Sequence, residues 1–322
     1  MKYDVYGIGN ALVDIQAQVD EPFLKKIEQP KGIMTLVDTP FQARLLEQLK
    51  DRDIHTVGGG SAANTIIGIA NLGGNSYYAG KVGEDDLGSF YTEDLKQAGV
   101  HHKTPLGKEP TGTSVILITP DAQRSMFTHL GANIRLAPED IDEEAIKNSK
   151  WVYIEGYLWY TEGPRAAAVK VMEIAKKNGV QVAYSFSDPV CVKHARADLH
   201  KFTEKYVDLI FCNEDEALAF SETENISGAL GYIQELKSSV AITSGPHGSH
   251  IYIRGETHRI PSVPTEAIDT TGAGDLYAAG VLYGLTHDYS AKNAGKLGSY
   301  CASRIVNTMG PRLKEKINPT LS

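Results

Sequence analysis

The sequence has 322 residues, enough for one large domain with an appendage and a buried core, so intrinsic disorder is not expected. Its formal net charge of -8, without a long run of lysine or arginine, disfavours nucleic acid and anionic membranes as main partners and favours a small molecule. No apolar run approaches the roughly 18 residues of a transmembrane helix, and residues 1–4 begin no secretory leader, so we expect a cytoplasmic protein.

The chain begins with a buried strand at residues 3–9 that ends in glycines. A dinucleotide-binding fingerprint needs a third glycine, but Leu12 stands in its place and no helical pattern follows. Residues 13–19 instead alternate apolar and polar side chains, which predicts a half-exposed strand. Asn10 and Asp14 are either a turn asparagine with a solvated aspartate, or two cleft residues that bind vicinal sugar hydroxyls. Both interpretations stay open on the residues alone.

A glycine cluster at residues 58–60 leads into a helix. The segments before it predict a short helix, a strand and a second helix, at residues 23–27, 33–37 and 39–50. Small residues let the backbone at Gly59, Gly60 and Ser61 approach a ligand, and Asn64 would point back towards it. Close helix packing through small side chains explains the cluster equally well.

Other familiar signals are weak in this sequence. Residues 74–82 lack a Walker A motif, because Val82 stands where serine or threonine is required. His101 and His102 are adjacent in a predicted loop and cannot easily converge on one metal, so we expect surface residues. The cysteines fit no zinc or redox spacing and are expected to be buried thiols of a reducing compartment, at positions 191, 212 and 301.

A β-hairpin is predicted where an apolar strand at residues 113–119 turns and returns along 124–130. With the early alternating strand it predicts a small sheet, formed by approximately residues 10–38 and 107–132, that closes over the cleft as a lid. Arg124 would enter from this lid and neutralise a transferring phosphoryl group, although a plain surface arginine is the commoner fate of such a residue.

From residue 138 onward helices and strands alternate, which is typical of parallel β/α units. The predicted elements are helices at residues 138–148 and 163–178, and strands at 151–155 and 180–186. The expected fold class is α/β, with a doubly wound, mostly parallel central sheet flanked by helices and a small β-sheet lid. We expect residues 1–322 to form a single domain.

An apolar strand at residues 206–212 ends at Asn213, where an acidic helix start follows. Ligands bind at the carboxyl edges of strands in an open α/β sheet, so Asn213 and Glu216 are candidates to organise magnesium and phosphates through water. Favourable charge at a helix start explains the glutamate without a ligand, but it does not explain Asn213.

A further strand at residues 239–243 runs into a glycine turn, and residues 249–254 return as the second arm of a hairpin. This turn would lie at the edge of a bound nucleotide. The candidate nucleotide contacts there are Thr243, Gly245 and Gly248. The final helix, at residues 290–308, carries a small-residue face, for which core packing is the simpler explanation.

Residues 269–275, Asp-Thr-Thr-Gly-Ala-Gly-Asp, run into an apolar helix and are the strongest signal in the chain. The two glycines allow a tight turn that exposes consecutive N–H groups at the positive end of the helix dipole, where a phosphate fits. Asp275 then stands in the first helical turn, within reach of a hydroxyl that approaches this phosphate. Helix capping explains Asp275 alone, but it does not require the preceding aspartate and threonines, whose oxygens suit a cation.

This string resembles the signature of the ribokinase-like (PfkB) carbohydrate kinases. The resemblance covers essentially the whole chain, because further family motifs precede it in order, at residues 7–10, 59–64 and 213–216. Within the family the chain looks most like the adenosine kinase branch. The segments that favour this branch over ribokinase are residues 7–14, 153–157 and 213–217.

The resemblance implies a role for each matching residue. Asp275 matches the catalytic base of the family, and Gly272, Ala273 and Gly274 match the anion hole of the family. The positions that contact the substrate sugar match Asn10, Asp14, Gly60 and Asn64, within a motif that also holds Gly59 and Ser61. The pocket for the nucleobase of the substrate is apolar in the adenosine kinase branch. The candidates for this pocket are Met126 and Tyr157, with Met34 and Leu36.

The resemblance also implies ATP and Mg²⁺, together with a monovalent cation, potassium, near Asp269 and Thr271. The expected function is ATP-dependent phosphorylation of a nucleoside 5′-hydroxyl, adenosine to AMP, by a monomer or homodimer. A kinase of the same family acting on ribose, fructose or 2-keto-3-deoxygluconate is the alternative. A silent nucleotide sensor does not explain the presence of Asp275, and the missing third glycine opposes an NAD-dependent dehydrogenase.

Overall fold

The structure, a computed structural model, describes residues 1–313 and 315–318. The strands in this part of the chain are β1 (Tyr3–Ile8), β2 (Leu12–Gln18), β3 (Met34–Leu36), β4 (Ile54–Gly58), β5 (Ser76–Ala79), β6 (Val82–Gly83), β7 (His101–Lys103), β8 (Leu106–Gly107), β9 (Gly112–Ile118), β10 (Arg124–His129), β11 (Ser149–Glu155), β12 (Gln181–Ser185), β13 (Leu209–Asn213), β14 (Ser239–Thr243), β15 (Ser249–Ile253) and β16 (Glu256–Ile260). The α-helices are α1 (Glu21–Lys26), α2 (Thr39–Leu49), α3 (Ser61–Asn71), α4 (Asp86–Gln97), α5 (Glu143–Lys147), α6 (Glu162–Lys177), α7 (Pro189–Tyr206), α8 (Glu214–Ser221), α9 (Ile226–Glu235), α10 (Ala273–Thr286) and α11 (Ala291–Val306).

A large sheet has the strand order β16-β15-β14-β13-β12-β11-β1-β5-β7. Its pairs are parallel except β14 with β15 and β15 with β16. Successive side chains of a strand face opposite sides, and β1 shows the result: Val5 packs with α3, α10 and α11, whereas Tyr6 packs with α6 and α7. Helices therefore cover both faces of a mostly parallel sheet, which confirms the predicted α/β class.

The small sheet has the strand order β3-β10-β9-β2-β4. Its outer face packs against α1 and α2 through an apolar cluster that includes Leu24, Leu45 and Phe127. The predicted hairpin is confirmed, because β9 and β10 pair antiparallel from Arg124 opposite Ile118 onward. Both predicted lid ranges supply strands to this sheet, and β4 joins it from outside those ranges.

Several predicted boundaries are wrong, and the positions where helices begin and end explain them. The continuous helix over residues 138–148 is instead a short 3-10 turn followed by α5, because the Asp142 carboxylate accepts the Ala145 N–H at 3.0 Å and starts a new helix. The strand predicted from Tyr206 begins at Leu209, since Tyr206 ends α7. Helices α7 and α9 were not predicted, although Asp188 and Asn225 are capping residues that mark their starts.

The adjacent histidines and the three cysteines lie within strands and helices. His101 and His102 lie in β7 at the edge of the large sheet rather than in a loop, and His101 is exposed as predicted. The three cysteines are buried free thiols, as expected. Within the described residues, none of the helices has the length and apolar character needed to cross a bilayer.

Candidate active site

A central cavity of about 910 Å³ lies between the large sheet and the small sheet. Residues at the carboxyl ends of parallel strands form one wall: Asn10 after β1, Glu155 in β11, Asn213 in β13 and Thr243 in β14. Apolar side chains of the small sheet form the opposite wall. This edge of an open α/β sheet is where ligands bind, because the chain connections leave a crevice there.

Residues 269–275, here called the anion turn, reach the cavity at the start of α10. Gly272 caps this helix with φ of 79°, a left-handed conformation that side chains other than glycine rarely adopt. Ala273 N–H donates to Thr270 O at 3.2 Å, and the first turn of α10 presents the positive end of the helix dipole to the cavity. Gly272, Ala273 and Gly274 all line the cavity, so an anion can lie against their backbone.

Asp275 occupies the first turn of α10 and lines the same cavity. Its two carboxylate oxygens accept hydrogen bonds from Ser61 Oγ at 2.7 Å and Asn64 Nδ2 at 2.9 Å. Burial raises the pKa of Asp275, while these two bonds and the charges of Arg124 and Arg312 lower it. Each carboxylate oxygen can accept a second hydrogen bond, so a substrate hydroxyl can still donate to Asp275.

The glycine cluster brings the start of α3 to the same place. Gly60 caps α3 with φ of 87°, and a side chain there would collide with the carbonyl of Asn10. Gly59 lies against the carboxyl group of Asp14, so a larger residue would displace that group. Burial raises the pKa of Asp14 to about 7, with Arg312 opposing the shift and Asp275 adding to it. Asp14 and Asp275 therefore act on each other electrostatically across the cavity.

Glu155, which sequence reasoning did not single out as a site residue, orients the neighbouring Asn10. Its carboxylate accepts Asn10 Nδ2 at 2.8 Å, Asn10 N–H at 3.3 Å and Ala62 N–H at 2.9 Å. Burial raises the pKa of Glu155 to about 7. Because the Asn10 amide nitrogen is engaged by Glu155, the Asn10 side chain offers its oxygen to a ligand. A carboxylate at the end of a parallel strand is the signal that could have identified Glu155.

The small sheet gives the cavity an apolar wall. Its apolar lining side chains are Leu12, Met34, Ile116, Met126 and Leu130, and Ser114 and Thr128 of the same sheet also line the cavity. Tyr157 lines the cavity from the large sheet side, where its hydroxyl donates to Ser187 O at 3.1 Å and its ring stacks on Tyr160. Leu36, the remaining candidate for an apolar slot, is 41% exposed and is not part of this wall.

Arg124 enters the cavity from the first residue of β10. Its Nη1 donates to Thr270 O at 3.1 Å, and Thr270 Oγ1 donates to Ala122 O at 3.0 Å. These two bonds join the β9–β10 hairpin to the anion turn. The guanidinium group therefore lies beside the backbone groups that would hold a phosphate.

The candidate nucleotide and magnesium residues all line the cavity: Asn213, Glu216, Thr243, Gly245, Gly248 and Thr271. Asn213 caps α8, and its N–H and Nδ2 donate to Glu216 at 3.0 and 2.9 Å, while Glu216 N–H donates to Asn213 Oδ1 at 2.8 Å. This reciprocal capping box explains both residues structurally and still leaves them on the cavity wall. Burial raises the pKa of Glu216 to about 8.

Besides Leu36, the predicted site residues that the cavity wall does not include are Asp269 and Gly59. The fully buried Asp269 carboxylate accepts Thr271 N–H at 2.8 Å and Gly310 N–H at 2.9 Å, so it ties the anion turn to the segment after α11. Thr271 Oγ1 is buried and has no hydrogen-bond partner among the described residues.

Arg312 is the second residue that sequence reasoning missed. Its guanidinium group donates to Asn64 Oδ1 at 2.9 Å and to Gly59 O at 2.7 Å, and it pairs with Asp94. Arg312 is 248 positions from Asn64 in the chain, and no local pattern marks it. Only the folded chain brings the two residues together.

The chain is similar to known proteins over almost its whole length. The sequence profile described as "pfkB family carbohydrate kinase" matches residues 38–318. The structure of adenosine kinase from Sinorhizobium meliloti superimposes with a TM-score of 0.93 at 39% identity, covering 98% of this chain and 97% of that one.

Curated relatives divide between two substrate types. Adenosine kinase of Saccharomyces cerevisiae is 29% identical over 334 residues, with 97% of each chain covered. The 5-dehydro-2-deoxygluconokinase of Clostridium perfringens is 27% identical over 277 residues, with 80% of each chain covered. The relatives therefore agree on phosphoryl transfer to a hydroxyl. They differ in whether this hydroxyl belongs to a nucleoside or to a sugar acid.

Proposed function

The chain belongs to the pfkB family of carbohydrate kinases and is a phosphotransferase with a hydroxyl acceptor; from this we propose that it transfers the terminal phosphoryl group of ATP to the 5′-hydroxyl of adenosine. One observation supports the proposed chemistry above all others: the Asp275 carboxylate stands in the first turn of α10, beside the anion turn and on the cavity wall. Membership of a kinase family argues against the alternative of an NAD-dependent dehydrogenase.

In the proposed reaction the acceptor hydroxyl binds next to Asp275. Its oxygen forms a bond to the terminal phosphorus, the bond from phosphorus to the bridging oxygen breaks, and ADP leaves. The hydroxyl proton passes to Asp275. Backbone N–H groups of residues 272–275 and the Arg124 guanidinium stabilise the negative charge of the moving phosphoryl group, because these donors are already oriented towards it.

The acceptor end of the cavity suits a nucleoside. Asp14 and the Asn10 oxygen line the cavity and can accept hydrogen bonds from ribose hydroxyls. The apolar wall that contains Met34 and Met126, together with the Tyr157 ring, offers flat and adaptable surface to a planar base. A free sugar would leave this wall without a partner.

A sugar kinase is the second candidate, and the 5-dehydro-2-deoxygluconokinase relatives support it. A gluconate-derived substrate carries a carboxylate that needs a cation. Among the described side chains on the cavity wall, Arg124 is the cationic one, and it already contacts Thr270 beside the anion turn. Asp14 at the acceptor end would repel such a substrate once ionised, which favours a neutral nucleoside.

The residues present fit Mg²⁺ held largely by phosphates. No three acidic, histidine or cysteine side chains converge on one point within the described part of the chain. Mg²⁺ keeps several waters and needs only one or two carboxylates besides phosphate oxygens, so Glu216 with Asn213 would hold it through water. Bound there, the ion would neutralise charge on the phosphates.

Potassium near the anion turn is also part of the proposal. Its candidate oxygen ligands are Thr271 Oγ1, buried without a partner in the described residues, and the buried Asp269 carboxylate, which accepts the Thr271 N–H. Activity that is the same with and without potassium would contradict this cation site.

The experiment that tests the substrate is a panel of acceptors at equal concentration, followed by ADP release. The panel contains adenosine, other nucleosides, ribose, fructose, 2-keto-3-deoxygluconate and 5-dehydro-2-deoxygluconate. We expect the highest kcat/KM with adenosine, by at least about 10-fold over the sugars, because the apolar wall contributes binding energy only to a base. ATP without acceptor is the control. Turnover of a sugar but not of adenosine would reject the nucleoside proposal.

A further inference from the structure

Arg312 reaches the active site from the segment that follows α11. Gly310 N–H donates to the buried Asp269 carboxylate at 2.9 Å, and Asn71 Nδ2 donates to Leu313 O at 3.0 Å. Pro311 packs against Gly272 so closely that a side chain at Gly272 would collide with its backbone. The backbone on both sides of Arg312 is therefore fixed against the anion turn and α3.

The Arg312 side chain is 10% exposed, and all three of its guanidinium nitrogens are engaged. Nε donates to Asn64 Oδ1 at 2.9 Å, Nη2 donates to Gly59 O at 2.7 Å, and Nη1 pairs with the Asp94 carboxylate. The guanidinium plane also lies over the Tyr91 ring, 5.5 Å from its centre. Lysine cannot reproduce this fork of donors.

Asn64 lies between this cation and the proposed base. An arginine has no acceptor and a carboxylate has no donor, so the Asn64 amide fits between them in one orientation, with its oxygen towards Arg312 and its nitrogen towards Asp275. Asn64 Nδ2 then donates to Asp275 Oδ2 at 2.9 Å. Without Arg312 the amide is free to turn and offer its oxygen to Asp275, which would repel the ionised carboxylate.

We propose that Arg312 is a positioning residue for phosphoryl transfer, which fixes the Asn64 amide so that it donates to the Asp275 carboxylate. The inference rests on the proposed role of Asp275 as base. It is independent of which acceptor the enzyme prefers, because none of the contacts involves the apolar wall.

The charges around Asp275 predict how the loss of Arg312 changes the pH dependence of the rate. The groups that act on the Asp275 carboxyl are Arg312, Arg124 from β10, Asp14 from β2, and Glu155 and Tyr153 from β11. Arg312 lowers the pKa of Asp275, although Asp94 offsets part of its charge. Removing Arg312 therefore raises the pKa of the base and moves the acid limb of the rate profile to higher pH.

The test is the pH profile of kcat in Arg312→Met, with whichever acceptor the wild-type enzyme turns over best. We expect kcat to fall by about 10-fold or more and its acid limb to move to higher pH. In Arg312→Lys, kcat should fall nearly as much, since lysine keeps the positive charge but lacks the forked N–H donors of the guanidinium group. In Arg312→Ala, guanidinium ion at millimolar concentration should restore part of kcat. The control is Arg304→Met at an exposed position in α11, which should keep the wild-type profile.

A double-mutant cycle separates this proposal from the role of Asp275. If Arg312 acts through Asp275, Arg312→Met should have little further effect on kcat in the Asp275→Asn background. An equal loss of kcat in both backgrounds, or an unshifted acid limb without rescue by guanidinium, would overturn the positioning role. Wild-type turnover by Asp275→Asn itself would instead reject the proposed base.

Discussion

At the scale of single residues, the site depends on two buried carboxyl groups. Burial disfavours the ionised form of both. Burial raises the pKa of both Asp14 and Asp275, and each group disfavours ionisation of the other. Ser61 and Asn64 stabilise the ionised form of Asp275 by donating to it. Asp14 instead has the nearby positive charge of Arg312 as its main stabilising influence. Ionisation of Asp275 therefore raises the pKa of Asp14 further.

The first prediction concerns pH. Because the folded pKa of Asp14 is raised from 3.8 to about 7, its ionised fraction in the free enzyme grows as pH rises through that value. We expect kcat/KM for the nucleoside to fall below about pH 7, since protonation of Asp14 replaces a charged acceptor for ribose hydroxyls with a weaker neutral one.

Asp14→Asn should lower kcat/KM by about 10-fold or more, mainly through KM, because a charged acceptor is lost. Exposed Asp51→Asn is the matched control and should behave as wild type. Steady-state kinetics across the pH range measure both effects. A flat profile through neutral pH, with an unchanged KM in Asp14→Asn, would contradict the assignment.

At the scale of elements, the β9–β10 hairpin and the anion turn meet at two hydrogen bonds. Arg124 Nη1 donates to Thr270 O, and Thr270 Oγ1 donates to Ala122 O in the hairpin turn. Each bond joins the small sheet to the start of α10. If the small sheet moves as a lid, these bonds stabilise the closed arrangement in which the apolar wall faces the large sheet.

The second prediction tests this junction with Thr270→Val, which keeps the shape of the side chain and removes its hydroxyl. We expect KM for the nucleoside to rise by about 3- to 10-fold with little change in kcat, because one hydrogen bond favours closure. The control is Thr257→Val at an exposed position in β16. An unchanged KM would show that the junction does not influence binding.

At the scale of the whole molecule, sequence patterns predict the strands, helices and turns, because these depend on neighbouring residues in the chain. The alternation of apolar strands and helices predicts the large sheet, and the anion turn contains its own glycines and helix start. The contacts around Asp275 are different in kind. Arg312 and Asn64 meet across 248 positions, and Asn10 and Glu155 across 145. No periodicity encodes such pairs, so they depend on the packed fold.

The measurement that tests the central claim most directly is the kcat of Asp275→Asn with the best acceptor, beside exposed Asp288→Asn as control. The account predicts a loss of at least about 10²-fold in kcat with little change in KM, because asparagine keeps the size of the side chain and cannot accept the proton. Turnover equal to that of the wild-type enzyme would contradict it.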